Sequence, residues 1–166
     1  MRVEYINPFS EAAYGVLKEV LAVDVKRGDL YLKPTNMTIM GVAAMVGLAG
    51  EVEGRVLFDM TKDTALFVAN TMSKVAGIMA DGEEFKEMNA DAKAVITELA
   101  NMITAQAVTK LHDLGFKFDL TPPALFTGDN MEVSSNMGST VEALIVPMDL
   151  GGKGKIEVNV VIRERT

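Results

Sequence analysis

The chain has 166 residues, a formal net charge of −7, one histidine, and neither cysteine nor tryptophan. That length suits one compact domain spanning 1–166, burying roughly 70% of the surface its unfolded form exposes. The charge, with Lys153 and Lys155 as the nearest thing to a basic cluster, is a poor match for nucleic-acid phosphates, and the missing thiols exclude disulfides, a cysteine nucleophile and a cysteine-based zinc site. Arg2 and Glu4 interrupt the start with no apolar segment behind them, and the uncharged run from Pro34 to Gly50 is too short and too rich in Thr and Gly for a membrane span. A soluble, cytoplasmic protein is expected, compatible with a reducing compartment. Its core must be filled by Val, Leu, Ile, Ala and the twelve Met, because only 6% of the residues are aromatic.

The first predicted helix starts at Asn7 as cap with Pro8 in its first turn, and Phe9, Ala13, Val16, Leu17, Val20 and Leu21 give its buried stripe. It ends before Val23 to Gly28. Beyond Lys33 and Pro34, the segment MTIMGVAAMVGLAG alternates with period two, placing Thr38, Met40, Val42 and Ala44 on one side of a buried strand. Glu51 to Gly54 turn the chain, and RVLFDM returns as the antiparallel partner. Thr61 or Asp63 caps a second helix with Ala65, Leu66, Val68, Ala69, Met72, Val75 and Ala76 on its apolar face and Gly77 weakening its far end. The polar stretch DGEEFKEMNAD then precedes a long helix with Asp91 in its first turn, stopped by Gly115. A strand near Ala124 to Thr127, a polar loop from Gly128 to Thr140, a strand from Val141 to Met148, a turn from Leu150 to Gly154 and a last strand KIEVNVVIR complete the chain. The predicted class is α+β, an antiparallel sheet packed with long helices, carrying a faint helix-then-hairpin recurrence.

The long helix, Ala94 to His112, carries the chemistry. Val95, Leu99, Met102, Ile103, Ala107 and Leu111 recur at intervals of three and four and predict a buried stripe. On the far side lie Ala94, Thr97, Glu98, Asn101, Thr104 and Ala105, so an acid and an amide project together from a bed of small residues. Exposed faces ordinarily carry long charged chains that shield the backbone; this one is trimmed short and lets another surface come close. The spacing alone is a low-information pattern, shared by Glu4 and Asn7. There, however, Asn7 precedes Pro8, which biases it away from helical geometry, so that pair need not share a face.

Other candidates are weaker. His112 sits near a helix C-terminus, where an imidazole is ordinarily a surface residue. GGKGK at Gly151 to Lys155 lacks the spacing and following helix of a phosphate loop and reads as a hairpin turn. Asp81, Glu83, Glu84 and Glu87 read as a solvated loop. No spacing suggests a metal cage.

TELANMITAQA, Thr97 to Ala107, resembles the signature helix of the CheC and CheX chemotaxis phosphatases, with Glu98 and Asn101 on its two defining positions. The likeness extends to GEVEGRVLFDM, to TKDTALFVANTMSKVAG and to the Pro122-Pro123 pair, and covers nearly the whole chain from about Asn7; a single such helix is closer to the CheX branch. Ala94 stands where the family often carries Asp or Ser. The resemblance implies dephosphorylation of the aspartyl phosphate of a CheY-type response regulator. In it, Asn101 would position the attacking water and Glu98 would dock to the receiver's lysine, with Ala94, Thr97, Thr104 and Ala105 as partner-contacting neighbours. It implies no cofactor of the protein's own, Mg²⁺ supplied by the receiver, and a homodimer built through sheet edges. The competing expectations are a non-catalytic module of the same fold that binds a receiver or the flagellar switch, and a small-ligand sensor using the Met-rich core.

Overall fold

The computed structural model describes residues 3–133 and 142–164. They form α1 (Val3–Leu21), β1 (Val25–Arg27), β2 (Tyr31–Pro34), β3 (Met37–Thr38), a long hairpin of β4 (Gly41–Gly50) and β5 (Val52–Thr61), then α2 (Lys62–Val75) and α3 (Ala90–Asp113). After these come β6 (Phe118–Leu120), β7 (Ala124–Thr127), β8 (Glu132–Val133) and a second long hairpin of β9 (Glu142–Leu150) and β10 (Lys155–Glu164). The α+β class is as expected. Eight strands make one antiparallel sheet in the order β1-β9-β10-β5-β4-β6, with β2 also on β9 and β7 also on β4, while β3 and β8 pair separately.

The two hairpins meet along β5 and β10, with Leu57 opposite Asn159. Alternation decides which side chains face the helices: Val56, Phe58 and Met60 from β5 and Ile156, Val158 and Val160 from β10 join the main core with α1, α2 and α3. Gly54 is needed where these strands cross, since its φ is +156° and a Cβ there would lie 1.8 Å from the carbonyl oxygen of Val161. The predicted turn at Glu51 to Gly54 is displaced: the β4–β5 ladder ends at Leu48 opposite Gly54, and Val52 to Gly54 already belong to β5 and pair with β10. Beyond that point Gly50 pairs outward with Phe118 and Val52 with Glu164.

Three expectations need correction. First, α1 begins at Val3 rather than at an Asn7 cap, and Pro8 lies inside it. The additional turn buries Tyr5 and Ile6, and the Tyr5 ring meets Phe116 edge-on at 4.9 Å. Burial of two large apolar side chains, about 1.5–3 kcal/mol each, outweighs the local bias of a residue preceding proline. Second, Thr38 belongs to a separate short strand on β8, and the long strand starts at Gly41. Third, Val75 and Ala76, expected on the apolar face, are exposed at the end of α2. Thr61 does cap α2, accepting from the Thr64 N–H at 3.2 Å. Part of the predicted 128–140 loop, and Val141, lie outside the described residues.

The sheet face away from the main core carries buried polar groups between small apolar clusters. Asp59 is fully buried and accepts from the Met40 N–H at 2.9 Å. Burial raises its pKa from the ordinary 3.8 to about 6, the Met40 bond pulling the other way and the Glu157 charge adding to the rise. Glu157, opposite Asp59 in the ladder, is held below its ordinary range: burial opposes this, but the Tyr31 hydroxyl and the Lys33 ammonium at 2.9 Å both donate to it and prevail. The two carboxylates therefore give opposite pH slopes. Between pH 3.8 and about 6 the folded protein keeps a proton on Asp59 that the unfolded chain releases, so this group's contribution to stability falls as pH rises through that window. Asp59→Asn should gain stability on wild type by about 2 kcal/mol between roughly pH 4 and pH 7. Urea unfolding at the two pH values measures it, and a difference independent of pH would contradict the assignment.

Candidate functional site

α3 is the element that presents the acid and the amide. Asn89 caps it, its side chain accepting from the Ala92 N–H at 2.9 Å, and Asp91 complements the positive end of the helix. At the far end Gly115, at φ +94°, stops the helix as expected, its N–H returning to the His112 carbonyl at 2.9 Å. Between these ends the helix packs against α1, α2 and β4 through Ile96, Leu99, Ala100, Ile103, Ala107 and Leu111.

This stripe fixes the rotation of α3. Glu98 and Asn101, one turn apart, are both exposed, as are Ala94 and Ala105; Thr97 is half-buried, with its hydroxyl donating to the Lys93 carbonyl at 2.9 Å. Among the described residues neither the Glu98 carboxylate nor the Asn101 carboxamide is engaged in a hydrogen bond or an ion pair. Both are open to another molecule.

Thr104 does not belong to this face. It is 1% exposed and its hydroxyl donates to the Ala100 carbonyl at 2.6 Å. The sequence stripe is centred too far toward Val95 and Met102, which are only partly buried, because Ala100 passes for a surface alanine. With Ile96 and Ala100 included, the buried side turns by about one residue and takes Thr104 with it. Thr104 serves to seat the helix, and its short side chain lets α3 lie close to the core.

The remaining candidates stay apart from the pair. His112 is exposed and its ring meets that of Phe118 at a tilt of 59°, with centroids 5.3 Å apart. It lines a cleft of about 630 Å³ with Glu51, Lys117 and Asp119, which does not include Glu98 or Asn101. GGKGK forms the β9–β10 turn, with Gly151 and Gly152 at positive φ, as the hairpin reading expects. The loop acids Asp81, Glu83, Glu84 and Glu87 are exposed, and among the described residues no three His, Cys, Asp or Glu are placed to hold a metal ion. The site is a projecting helix surface. Such a surface orients a reacting group brought by a second macromolecule, whereas a small substrate would need enclosing walls.

Comparison with known proteins places this arrangement. Residues 42–149 match the family described as chemotaxis phosphatase CheX. The chain belongs to the CheX family. It is 27% identical over 139 residues to the CheY-P phosphatase CheX of Thermotoga maritima, covering 81% of this chain and 83% of that protein. Among solved structures it is similar to the CheX–CheY–BeF₃–Mg²⁺ complex from Borrelia burgdorferi, with 42% identity, a TM-score of 0.78 and coverage of 98% of this chain and 100% of that one. A CheC-like superfamily protein from Shewanella sp. PV-4 shares the fold at a TM-score of 0.81 and 24% identity, covering 98% of this chain and 99% of its own. The match to the CheX family includes the whole of α3, and so both residues of the exposed pair.

The opposite placements of Thr104 and Ala105 can be measured through stability alone. Thr104→Arg buries an unpaired cation and should cost at least about 3 kcal/mol. Ala105→Arg, on the exposed side, should stay within about 0.5 kcal/mol of wild type. Equal losses in urea unfolding would contradict the rotation of α3 described above.

Proposed function

We propose that this CheX-family protein is a phosphatase that hydrolyses the aspartyl phosphate of a CheY-type response regulator. The observation that carries the reading is the exposed, unengaged Glu98–Asn101 pair on α3, in a chain 42% identical to a CheX solved in complex with CheY, BeF₃ and Mg²⁺. The T. maritima relative, a CheY-P phosphatase, supports the same reaction class.

The reaction asks little of the protein beyond placement. A water oxygen attacks phosphorus in line with the bond to the aspartyl oxygen; that bond breaks, the carboxylate leaves with the electron pair, and the water's proton passes to the released phosphate. Asn101 accepts from the water through its carboxamide oxygen or donates to it through the amide, which holds the water behind the phosphorus without consuming the side chain. Glu98, one turn earlier, forms a charge-assisted bond with the receiver's lysine and sets the register of the two proteins. The exposed Ala94 and Ala105 keep the surface low so that the helix can enter the receiver's site, and Thr97 borders it.

The metal belongs to the receiver in this reading. The reading is supported by the presence of Mg²⁺ together with CheY and BeF₃ in the Borrelia CheX complex. We place the protein in the cytoplasm with its target, consistent with the finding that no described helix is long and apolar enough to cross a membrane. We also read the chain as a homodimer joined through a sheet edge, supported by the outermost strand β2, around which Leu30, Tyr31 and Leu32 leave apolar surface exposed.

Phosphate release from a phosphorylated receiver tests the reading. Asn101→Ala should lower the acceleration about 100-fold while leaving the melting temperature unchanged, the scale of losing one preorganised hydrogen-bonding group. Acceleration retained in that variant would refute the role of Asn101. Glu98→Ala should instead weaken receiver binding, by about 1.5–3 kcal/mol for a lost charge-assisted bond. Unchanged affinity, by calorimetry with a BeF₃-loaded receiver, would remove Glu98 from the docking surface.

A further inference from the structure

The exposed side of α3 continues beyond the Glu98–Asn101 pair. Asp91, Ala94, Glu98, Asn101 and Ala105 are all exposed, and at about 100° per residue they fall within an arc of about 80°, so they form one nearly straight row along the helix. Thr109 and His112, also exposed, prolong it toward the C-terminus. Ala94 and Ala105 keep the row low on both sides of the pair. Beyond Ala94, the first charged side chain on the row is Asp91, whose carboxylate is engaged in no hydrogen bond or ion pair among the described residues.

Interface size decides how much of this row a partner covers. A standard interface takes about 800 Å² from each protein, equivalent to a disc of about 16 Å radius. Centred between Glu98 and Asn101, with a rise of about 1.5 Å per residue, the disc includes Asp91 at about 13 Å and leaves out His112 at about 19 Å. Asp91 therefore belongs to the rim. Its place is fixed by the helix start, because the neighbouring Ala92 is buried and its N–H is held by the Asn89 side chain at 2.9 Å. The first turn carries the carboxylate as firmly as the rest of α3 carries Glu98.

We propose that Asp91 is a second docking carboxylate and a specificity determinant, selecting receivers that place a Lys or Arg about 10 Å along α3 from the lysine met by Glu98. The inference rests on the reading of Glu98 and Asn101 given above. Seven residues, about 10.5 Å of helix, separate the two carboxylates, and charges that far apart at a wet surface are largely screened from one another at about 0.1 M salt. Each acid thus needs its own cation. A receiver with an acidic side chain opposite Asp91 is repelled even when its phosphoryl group and lysine are in place, which lets this chain discriminate among receivers sharing one reaction centre.

The test uses the full chain and the phosphorylated CheY-type receiver that wild type dephosphorylates fastest in a panel, with phosphate release followed at about 50 mM and about 500 mM salt. At the lower salt Asp91→Lys should raise KM for the receiver about 10-fold with kcat unchanged, and at the higher salt the difference should shrink to about two-fold, as for a rim charge. Asp91→Glu should restore the wild-type KM. Asp113→Lys makes the same charge change on α3 about 20 Å from the centre of the pair, outside the disc, and should leave KM within about two-fold of wild type. A purely structural role for Asp91 at the helix start would lower the melting temperature without a salt-dependent KM. A wild-type KM for Asp91→Lys at low salt, or an equal rise with Asp113→Lys, would overturn the role of Asp91 and sustain the reading of the pair if Asn101→Ala still loses its acceleration. Acceleration of no receiver, or acceleration retained in Asn101→Ala, would overturn that reading instead.

Discussion

The structure depends on the rotational setting of α3. Ile96, Leu99, Ala100, Ile103, Ala107 and Leu111 are each no more than 2% exposed, and together they allow the helix one orientation against the sheet and its neighbours. A turn of one residue, about 100°, would exchange buried and exposed sides at the cost of several apolar side chains at about 1.5–3 kcal/mol each. The core therefore holds Asn101 outward with far more free energy than any contact of Asn101 itself could supply. A side chain placed in this way needs no pocket and no hydrogen-bonded support around it, because the helix is the support.

That arrangement accounts for what the site lacks. A metal, a nucleophile or a histidine base would each need its own scaffold of ligands and partners; an acyl phosphate on a receiver needs only a water held in line. The division between the two side chains follows from their chemistry. A carboxylate seeks a cation across an interface, and a neutral carboxamide can orient water beside a crowded anionic phosphoryl group without repelling it. In the proposed reaction the small residues around them set how closely two backbones approach, and that distance decides whether the carboxamide would reach the water.

Much of this was legible in the chain. The α+β class, the two long hairpins, the caps at Thr61 and Gly115, and the outward position of Glu98 and Asn101 follow from period, turn chemistry and side-chain length. The misreadings came from residues whose local signal is ambiguous. Ala100 and Thr104 resemble surface residues until the packing of Ile96 turns the stripe, and Pro8 looks like a first-turn residue until Tyr5 and Ile6 find their places in the core. Among the strands of two to four residues β7 was foreseen, whereas β1, β2, β3, β6 and β8 carry too little alternation to be seen without the strands they pair with. Asn89, three residues before Ala92, had the spacing of a cap inside a polar stretch and could have been found by it. The faint helix-then-hairpin recurrence corresponds to α1 ahead of the β4–β5 hairpin and α3 ahead of the β9–β10 hairpin.

The central claim is that Asn101 reaches a phosphoryl group carried by another protein. A crystal structure of this chain bound to its receiver loaded with BeF₃ and Mg²⁺ tests it most directly. The account predicts the α3 face inserted at the receiver's aspartate, with the Asn101 carboxamide about 2.6–3.2 Å from a water in line with the beryllium. An interface that leaves Asn101 in solvent would contradict it.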